Sequence, residues 1–248
     1  IYFLIIMDSK NILITGCSSG IGLATTIRCA QNGHRVIAGL RDLNKKSDLE
    51  DQIQKYDLKK NIEIIELDVS KFYTFKKTIQ DIIQKYSHID VLFNNAGIMT
   101  LGALEDCTID EINRQLDIDL IGPILLTQQV IPHMGSVAIP GLIINMSSTA
   151  GQVGFGLSST YCASKFGIEG FSEALRLELM PRNISVAVIE AGIVLSNFFK
   201  NIHRTKKSEE SIYSKSTEIF WELISDLTNK KDTWLKPENI AELVANII

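Results

Sequence analysis

A glycine-rich segment near the N-terminus constrains the fold more than any other part of the chain. Lys10 to Thr15 is a short apolar run, GCSSGIG follows from Gly16, and a helical pattern continues to Ala30. This order predicts a strand, a tight turn and a helix. Glycines let the backbone approach a phosphate closely, and the first N–H groups of a helix attract an anion. We therefore expect an α/β fold with a phosphate-bearing ligand at this turn, with an ordinary tight turn as the alternative.

Strands and helices alternate along the rest of the chain. Five further segments read as buried strands, namely HRVIAGL, IEIIEL, IDVLF, GLIINMS and ISVAVIE, and helical stretches separate them. Apolar strands joined by helices are typical of a parallel sheet covered on both faces. There is no internal repeat and no low-complexity linker. The sequence therefore predicts an α/β fold of the single-domain Rossmann type, a doubly wound parallel sheet flanked by helices on both faces.

Composition and charge bear on the kind of partner. The 248 residues are 45% hydrophobic and 22% charged, with a formal net charge of -4. Such a charge gives no reason to expect nucleic acid or an anionic membrane, so we expect a small-molecule ligand. The apolar opening, residues 1–6, is too short to span a bilayer, and no transmembrane segment is expected. The cysteines show no metal-type spacing, which predicts free thiols, no metal site and a cytoplasmic location: Cys17, Cys29, Cys107 and Cys162.

The segment from Asn145 to Lys165 holds a serine, a tyrosine and a lysine at suggestive spacings. Tyr161 and Lys165 are four positions apart, so on a helix they share one face. A free tyrosine has a pKa of about 10, and a neighbouring ammonium group is the simplest way to lower it. Ser148 lies upstream, at the end of a predicted strand. This arrangement predicts proton transfer to or from an oxygen.

The end of the second predicted strand bears on the choice of dinucleotide. In dinucleotide-binding folds an acidic residue there holds the ribose 2′-hydroxyl, whereas an arginine accommodates a 2′-phosphate. Leu40 occupies the expected acidic position and Arg41 follows it, which favours NADP(H) over NAD(H). Asp42 is either a displaced acid or a helix cap, and we prefer the cap. Asp68, after the third strand, is either an acceptor for adenine or a helix cap.

Two further segments belong to the candidate site. Asn94 to Gly97, NNAG, follows the fourth predicted strand, where an open α/β sheet places its ligand. Thr108 to Glu111 is a capping box that starts a helix extending to about Met134. Asp119 lies inside this helix between apolar residues. A carboxylate in an apolar face usually has a partner, and a solvated edge of the helix is the alternative.

Taken together, these motifs resemble the short-chain dehydrogenase/reductase family, most closely its 17β-hydroxysteroid dehydrogenase and retinol dehydrogenase branch. The matching motifs are TGCSSGIG, LDV, NNAG, SSTAG and YCASK, in this order between Thr15 and Lys165. The resemblance extends from Asn11 to at least Asn246. It implies that NADP(H) is held by Gly16, Ser18, Ser19, Ile21, Gly22, Arg41, Asp68, Asn94, Ala96, Gly97, Tyr161 and Lys165.

The resemblance also implies a reaction. Tyr161 is expected to be the general acid/base, Ser148 to hydrogen-bond the substrate oxygen, and Lys165 to bind the nicotinamide ribose and lower the tyrosine pKa. Hydride passes between nicotinamide and a carbonyl carbon. Val153 and Phe155 are expected to join Ser148 and Tyr161 in contacting the substrate. The implied function is the interconversion of an alcohol and its ketone or aldehyde on a lipophilic, steroid-, retinoid- or lipid-like substrate.

One departure from the family pattern opens an alternative function. Asp119 stands where relatives usually have an asparagine as a fourth catalytic residue. We expect its carboxylate to pair with Lys165 and to raise the tyrosine pKa relative to that in asparagine-containing relatives. The alternative is a catalytically impaired NADP(H)-binding sensor or partner subunit. In either case the resemblance implies a homodimer or homotetramer formed through two long helices.

The chain divides into three parts of one domain, residues 1–248. Residues 7–192 are expected to form the dinucleotide-binding and catalytic core, residues 193–216 a mobile substrate flap, and residues 217–248 C-terminal helices. Relatives continue beyond this point into one more strand, so we expect the C-terminal part to be truncated. Met7 is a possible start of the protein.

Overall fold

A computed structural model describes residues 9–135, 139–229 and 234–248. The apolar opening and Met7 lie outside the described residues. The strands are β1 (Asn11–Thr15), β2 (Arg35–Leu40), β3 (Ile62–Glu66), β4 (Val91–Asn94), β5 (Thr100–Leu101), β6 (Gly141–Ser148), β7 (Ile184–Ala191) and β8 (His203–Arg204). The α-helices are α1 (Gly20–Gln31), α2 (Ser47–Lys55), α3 (Phe75–Tyr86), α4 (Ile109–Leu116), α5 (Gly122–Val130), α6 (Ser159–Glu178), α7 (Ser214–Asn229) and α8 (Pro237–Ile247). No helix within these ranges is long and apolar enough to cross a membrane.

Six strands form one parallel sheet in the order β3-β2-β1-β4-β6-β7. In register, Ile12 of β1 lies beside Val36 of β2 on one side and Val91 of β4 on the other. The order turns back at β1, because β2 and β3 lie to one side of it and β4, β6 and β7 to the other. In open α/β sheets, ligands bind beyond the carboxyl ends of the strands at such a switch point. The fold therefore places the candidate site beyond β1 and β4.

Alternate residues of the strands build two cores, one on each face of the sheet. Ile12 and Ile14 of β1 join a cluster that contains Val244 of α8. Leu13, between them, joins a second cluster that contains Leu126 of α5. Successive side chains of a strand point to opposite faces, so apolar residues at every position need helices on both sides. The predicted doubly wound sheet with helices on both faces is confirmed.

The long helix predicted from Thr108 is interrupted in its middle. α4 ends at Leu116, a π-helical turn spans Asp117–Ile121, and α5 follows. Pro123 has no N–H and cannot donate to the carbonyl of Asp119 four residues earlier, and its ring crowds that carbonyl. The backbone widens where this α-helical hydrogen bond is impossible. The interruption therefore falls on the turn that carries Asp119.

The predicted flap, residues 193–216, is joined to other parts of the fold by backbone hydrogen bonds. β8 pairs in parallel with β5, and the N–H of His203 donates to the carbonyl of Met99 at 2.9 Å. The N–H of Leu195 donates to the carbonyl of Leu235 at 2.9 Å. Two-residue strands carry no periodic signal, so the sequence missed both β5 and β8. α7 begins at Ser214, inside the predicted flap.

Candidate active site

A cleft of about 990 Å³ lies beyond the carboxyl ends of the central strands. It joins the glycine-rich turn to the segment that carries the serine, tyrosine and lysine. The predicted site residues that line it are Gly16, Ser18, Ser19, Ile21, Gly22, Arg41, Asp68, Ala96, Gly97, Ser148, Phe155, Tyr161 and Lys165. Asn94, Asp119 and Val153 are absent from its lining.

The glycine-rich turn leaves an open path to the start of α1. Gly16 and Gly20 have φ values of 73° and 58°, in the left-handed region that favours glycine. A Cβ on Gly22 would lie 2.3 Å from the carbonyl oxygen of Gly16, so this position also requires glycine. The first turn of α1 contains no acidic residue, and the Ser19 side chain makes no capping hydrogen bond. The N–H groups and positive end of the helix dipole are therefore available to an anion.

Asn95, which sequence reasoning did not select, connects this turn to the NNAG segment. Its side-chain Nδ2 donates to the carbonyl of Thr15 at 2.8 Å. The N–H groups of Asn95 and Ala96 each donate to Thr15 Oγ1 at 3.0 Å. These bonds hold the ends of β1 and β4 side by side. The second asparagine of NNAG could have been noticed in the sequence. Its partner, Thr15, is eighty residues away, so the contact itself could not.

Asn94, which is predicted to contact the cofactor, has its side chain buried beside a neighbouring strand and a helix. Its Nδ2 donates to Asn145 Oδ1 at 2.8 Å and to Thr127 Oγ1 at 3.0 Å. These contacts join β4 to β6 and α5. Because the side-chain nitrogen of Asn94 donates to these two residues, the side chain is not directed into the cleft. A polar residue at a strand end looks the same in sequence whether it faces a ligand or a neighbouring strand.

The side chain of Arg41 is exposed and lines the cleft, whereas Leu40 is fully buried in the core. Position 40 therefore cannot present a polar group to a ligand without bringing it out of the core. Asp42 caps the following turn, because its Oδ1 accepts a hydrogen bond from the N–H of Asn44 at 2.9 Å. Lys45, which the sequence reasoning did not select, also lines the cleft. Two cationic side chains thus lie at this end.

Asp68 lines the cleft and binds its own loop. Its Oδ1 accepts hydrogen bonds from the N–H of Ser70 at 3.0 Å and from Ser70 Oγ at 2.7 Å. It does not cap α3, which begins further along the chain, at Phe75. The sequence left two interpretations of Asp68 open, a helix cap and an acceptor for adenine. The structure excludes the helix cap and leaves the acceptor role as a prediction.

Ser148, Tyr161 and Lys165 meet where β6 ends and α6 begins. Tyr161 and Lys165 are 8% and 4% exposed, so the face of α6 that they share is directed inward. The ammonium Nζ of Lys165 lies 5.6 Å from the centre of the Tyr161 ring and donates to the carbonyl of Met146 at 3.1 Å. Ser148 Oγ accepts a hydrogen bond from the N–H of Ala150 at 3.2 Å. The spacing in the sequence thus corresponds to one cluster in space.

The protonation of Tyr161 reflects opposing effects. Burial raises the pKa of the phenol, and the nearby Asp119 carboxylate adds to this. Lys165 and a hydrogen bond with Ser148 act in the lowering direction, but the pKa remains above its ordinary value. The predicted lowering by Lys165 is thus present, but burial of the phenol outweighs it in the chain by itself. The sequence shows that Lys165 lies near Tyr161, but it does not show how deeply the phenol is buried.

Asp119 lies behind Lys165 and forms the expected ion pair. Its Oδ2 is 3.1 Å from Lys165 Nζ, and its Oδ1 accepts a hydrogen bond from the N–H of Ile98 at 2.9 Å. Burial alone would lower the pKa of Lys165, but Asp119 and Tyr161 raise it above its usual value. Burial raises the pKa of the Asp119 carboxyl, against the effect of Lys165. The lysine is thus held as an ammonium ion by a buried carboxylate.

The other end of the cleft is apolar. The ring of Phe198 is centred 6.2 Å from that of Tyr161, and Phe199 packs edge-on against Phe198. Val153 is 60% exposed and lies outside the cleft lining. Three residues of α7, which the sequence reasoning did not assign to the site, line this end: Phe220, Leu223 and Ile224. Their helical spacing in an amphipathic segment was the available signal.

Glu111 fastens the flap to the start of α4. Its carboxylate accepts hydrogen bonds from the N–H of Thr108 at 2.8 Å, from His203 Nε2 at 2.7 Å and from the N–H of Lys206 at 3.4 Å. Burial acts to raise the pKa of Glu111, but these bonds, with that from Thr108 Oγ1, lower it to about 2. The capping box was predicted from the sequence, but the hydrogen bonds between Glu111 and the flap were not.

Fold and cleft together define a class, the Rossmann-type α/β proteins with a glycine-rich turn at the switch point of the sheet. A profile of the short chain dehydrogenase family matches residues 10–207 of the chain. The chain therefore belongs to the short-chain dehydrogenase family. The resemblance drawn from its motifs is confirmed.

Individual relatives agree with this assignment. The chain is 35% identical over 195 residues to the 3-ketodihydrosphingosine reductase of Bacteroides thetaiotaomicron, covering 79% of this chain and 68% of that protein. It is 33% identical over 192 residues to retinol dehydrogenase 8 of Bos taurus, covering 76% and 60%. The crystal structure of a short-chain dehydrogenase from Streptomyces avermitilis superimposes with a TM-score of 0.82 at 29% identity, covering 95% of this chain and 82% of that one.

Proposed function

We propose that this protein is an NADP(H)-dependent oxidoreductase that interconverts an alcohol and its ketone or aldehyde on a lipophilic substrate. The observation that carries the proposal is that one cleft holds both sets of residues. This cleft contains an anion-binding turn and Arg41 at one end and Ser148, Tyr161 and Lys165 at the other. A dinucleotide has an adenosine at one end, a pyrophosphate in the middle and a reactive nicotinamide ring at the other end, so one extended molecule fits both sets of residues.

The residues of the cleft fit a dinucleotide phosphate by their shape and charge. The glycines keep the turn clear of side chains. At Gly16 no side chain would fit, because a Cβ there would lie 2.9 Å from Cα of Ala96. The N–H groups at the start of α1 would hold the phosphates, and Asp68 would accept from adenine. Arg41 and Lys45 would pair with a 2′-phosphate, and the structure describes no ion pair that occupies either cation. NADP(H) is therefore favoured over NAD(H).

The chemistry at the other end follows from proton transfer. A bound nicotinamide ring would supply or accept the hydride. Tyr161 would donate a proton to the carbonyl oxygen during reduction and remove it from the hydroxyl during oxidation. Ser148 would hold that oxygen by a hydrogen bond. Lys165 would hold the ribose and stabilise the tyrosinate, since an ammonium ion favours the charged form of a neighbouring phenol.

The substrate class is proposed from the apolar end of the cleft and from the names of relatives. Phenylalanines of the flap and three apolar residues of α7 cover the region beside Tyr161. A steroid, retinoid or long-chain lipid would bury its apolar surface there. A sphingosine-type reductase and a retinol dehydrogenase among the relatives both carry lipophilic substrates in their names.

The test combines a substrate screen with a cofactor comparison. Oxidation of NADPH is followed with ketones, retinaldehydes, steroids and long-chain 3-keto lipids, and the dissociation constants of NADPH and NADH are measured directly. We expect turnover of an apolar carbonyl compound and tighter binding of NADPH. Arg41→Ala should weaken NADPH binding by about tenfold or more and leave NADH unchanged, because a hydrogen-bonded charge pair contributes about 1.5–3 kcal/mol. Tighter binding of NADH by the unaltered protein would overturn the cofactor assignment.

The alternative is a sensor or partner subunit that binds NADP(H) without turnover. The observation in its favour is the Asp119–Lys165 ion pair, because a carboxylate there opposes tyrosinate formation. Cofactor binding without turnover of any substrate class, both in this protein and in Asp119→Asn, would support this alternative. A cytoplasmic location and a homodimer or homotetramer remain predictions, and light scattering would measure the assembly.

A further inference from the structure

Asp119 brings a carboxylate to a buried position directly behind the cleft. The residue is 1% exposed, and Lys165, its ion-pair partner at 3.1 Å, is 4% exposed. Charges buried at this distance interact strongly, because little water lies around them to screen their fields. An anion at this position therefore affects the potential at the neighbouring part of the cleft.

The hydrogen bond between Asp119 and the backbone of Ile98 does not require the charge of the carboxylate. Its Oδ1 accepts a hydrogen bond from the N–H of Ile98, and the amide oxygen of an asparagine could accept the same bond. The segment Ile98 to Thr100 is also held by Gln115, whose side chain bonds the Ile98 carbonyl at 3.1 Å and the Thr100 N–H at 2.8 Å. The charge itself is thus the distinctive property of this side chain.

Only a glycine separates this carboxylate from the cleft. Gly97 lines the cleft, and a Cβ built on it would lie 3.1 Å from Asp119 Oδ2 and 3.7 Å from Lys165 Nζ. The carboxylate therefore lies directly behind the cleft wall, next to the ammonium group of Lys165, which itself lines the cleft. Together they sum to zero, whereas an ionised Lys165 without Asp119 would leave one positive charge. Glu169 and Arg114 also act on the pair, but they are the same with or without Asp119.

We infer that Asp119 sets the relative affinity of the cleft for oxidised and reduced nicotinamide cofactor, in favour of the oxidised form. This inference rests on the proposed function. The oxidised ring carries one more positive charge than the reduced ring, since the two differ by a hydride, which is two electrons and a proton. A buried anion stabilises the more positive ligand, and the uncompensated Lys165 ammonium would favour the neutral ring.

The experiment measures binding rather than turnover. Dissociation constants of NADP⁺ and NADPH are determined at pH 7, by calorimetry and by nucleotide fluorescence, for the unaltered protein and for Asp119→Asn. The ratio of the NADP⁺ constant to the NADPH constant should rise by about tenfold in the variant, as expected for one unit charge at short range in a protein interior. Asp117→Asn is the matched control, because Asp117 lies in the same π-helical turn but no ion pair with Lys165 is described for it.

Each outcome has a distinct meaning. If the unaltered protein binds neither cofactor form, the proposed function is overturned. If it binds both and the ratio is unchanged in Asp119→Asn, this inference alone is overturned. An equal change in Asp117→Asn would also overturn it, since the effect would then be one of overall charge. Asp119→Ser removes the same charge with a smaller side chain and carries the test if the asparagine variant does not fold.

Discussion

Tyr161 is buried beside apolar side chains. Its ring therefore contributes to packing, whereas its hydroxyl group is needed only for the proposed chemistry. The ring packs near Phe198, and Lys165 lies over it, so a phenylalanine can keep these ring contacts. Tyr161→Phe should therefore fold and bind NADPH normally but lose turnover by about a hundredfold to ten-thousandfold, the usual contribution of a general acid/base. Tyr73→Phe is the matched control, because Tyr73 is 83% exposed. Residual turnover above about a tenth would contradict the role of Tyr161.

The charge of Asp119 should also be visible in a pH profile. Burial raises the pKa of Tyr161, and Asp119 raises it further, so removing the carboxylate should lower it. Alcohol oxidation needs the tyrosinate as base, so kcat/KM rises as pH passes through this pKa. In Asp119→Asn that rise should begin at lower pH. Profiles that superimpose would show that Asp119 does not influence the tyrosine ionisation.

At the scale of elements, Glu111 links the flap to α4 through a carboxylate that must be ionised. Its pKa is about 2 in the folded protein, below the value near 4.3 of an unfolded chain. A lowered folded pKa adds stability above the unfolded value, and that stability is lost as pH falls toward the folded value. The contribution should therefore be complete at neutral pH and disappear between about pH 4.5 and pH 2.

Glu111→Gln tests this link. At pH 7 the variant should be less stable than the unaltered protein by about 2 kcal/mol, because a buried, hydrogen-bonded carboxylate is lost. The difference in the free energy of unfolding should shrink as the pH is lowered from 5 to 3. Urea unfolding at several pH values measures it, with Glu105→Gln on the exposed turn before α4 as control. A difference that is independent of pH would mean that the bonds do not depend on the charge.

For the whole molecule, one sheet supports two cores, so we expect a single unfolding transition. Ile240 of α8 is buried on one face of the sheet and Leu126 of α5 on the other. Each change to alanine should cost about 2–4 kcal/mol through lost burial and an incompletely filled cavity. Because the two residues belong to separate core clusters, the double variant should show about the sum of the two losses.

Calorimetry and urea unfolding measure this prediction. Leu243→Ala, at a half-exposed position of α8, should change stability by less than about 1 kcal/mol. If α8 unfolded separately from the sheet, Ile240→Ala would affect only a first, smaller transition. Two transitions would therefore contradict a single cooperative unit.

The accuracy of sequence prediction differed between kinds of element. The six strands of the main sheet were predicted because buried parallel strands are apolar runs of four to eight residues. The paired strands β5 and β8 have two residues each and were missed. In the candidate site, the glycine-rich turn, Ser148, Tyr161 and Lys165 were found because their residue types and spacing have few other uses. Asn95 was missed because its partner Thr15 is eighty residues away in sequence, and the α7 residues were missed because amphipathic spacing does not show which surface a helix covers.

The sequence by itself determined the class of fold, the order of its main elements and the selection of Ser148, Tyr161 and Lys165 as one candidate cluster. These properties depend on local spacing, which is written directly in the chain. Only the tertiary structure decided that Asn94 faces β6, that Leu40 is buried and that the pKa of Tyr161 is raised. The physical reason is that burial and charge pairing depend on residues distant in sequence. Their effects cannot be added up until packing has brought those residues together.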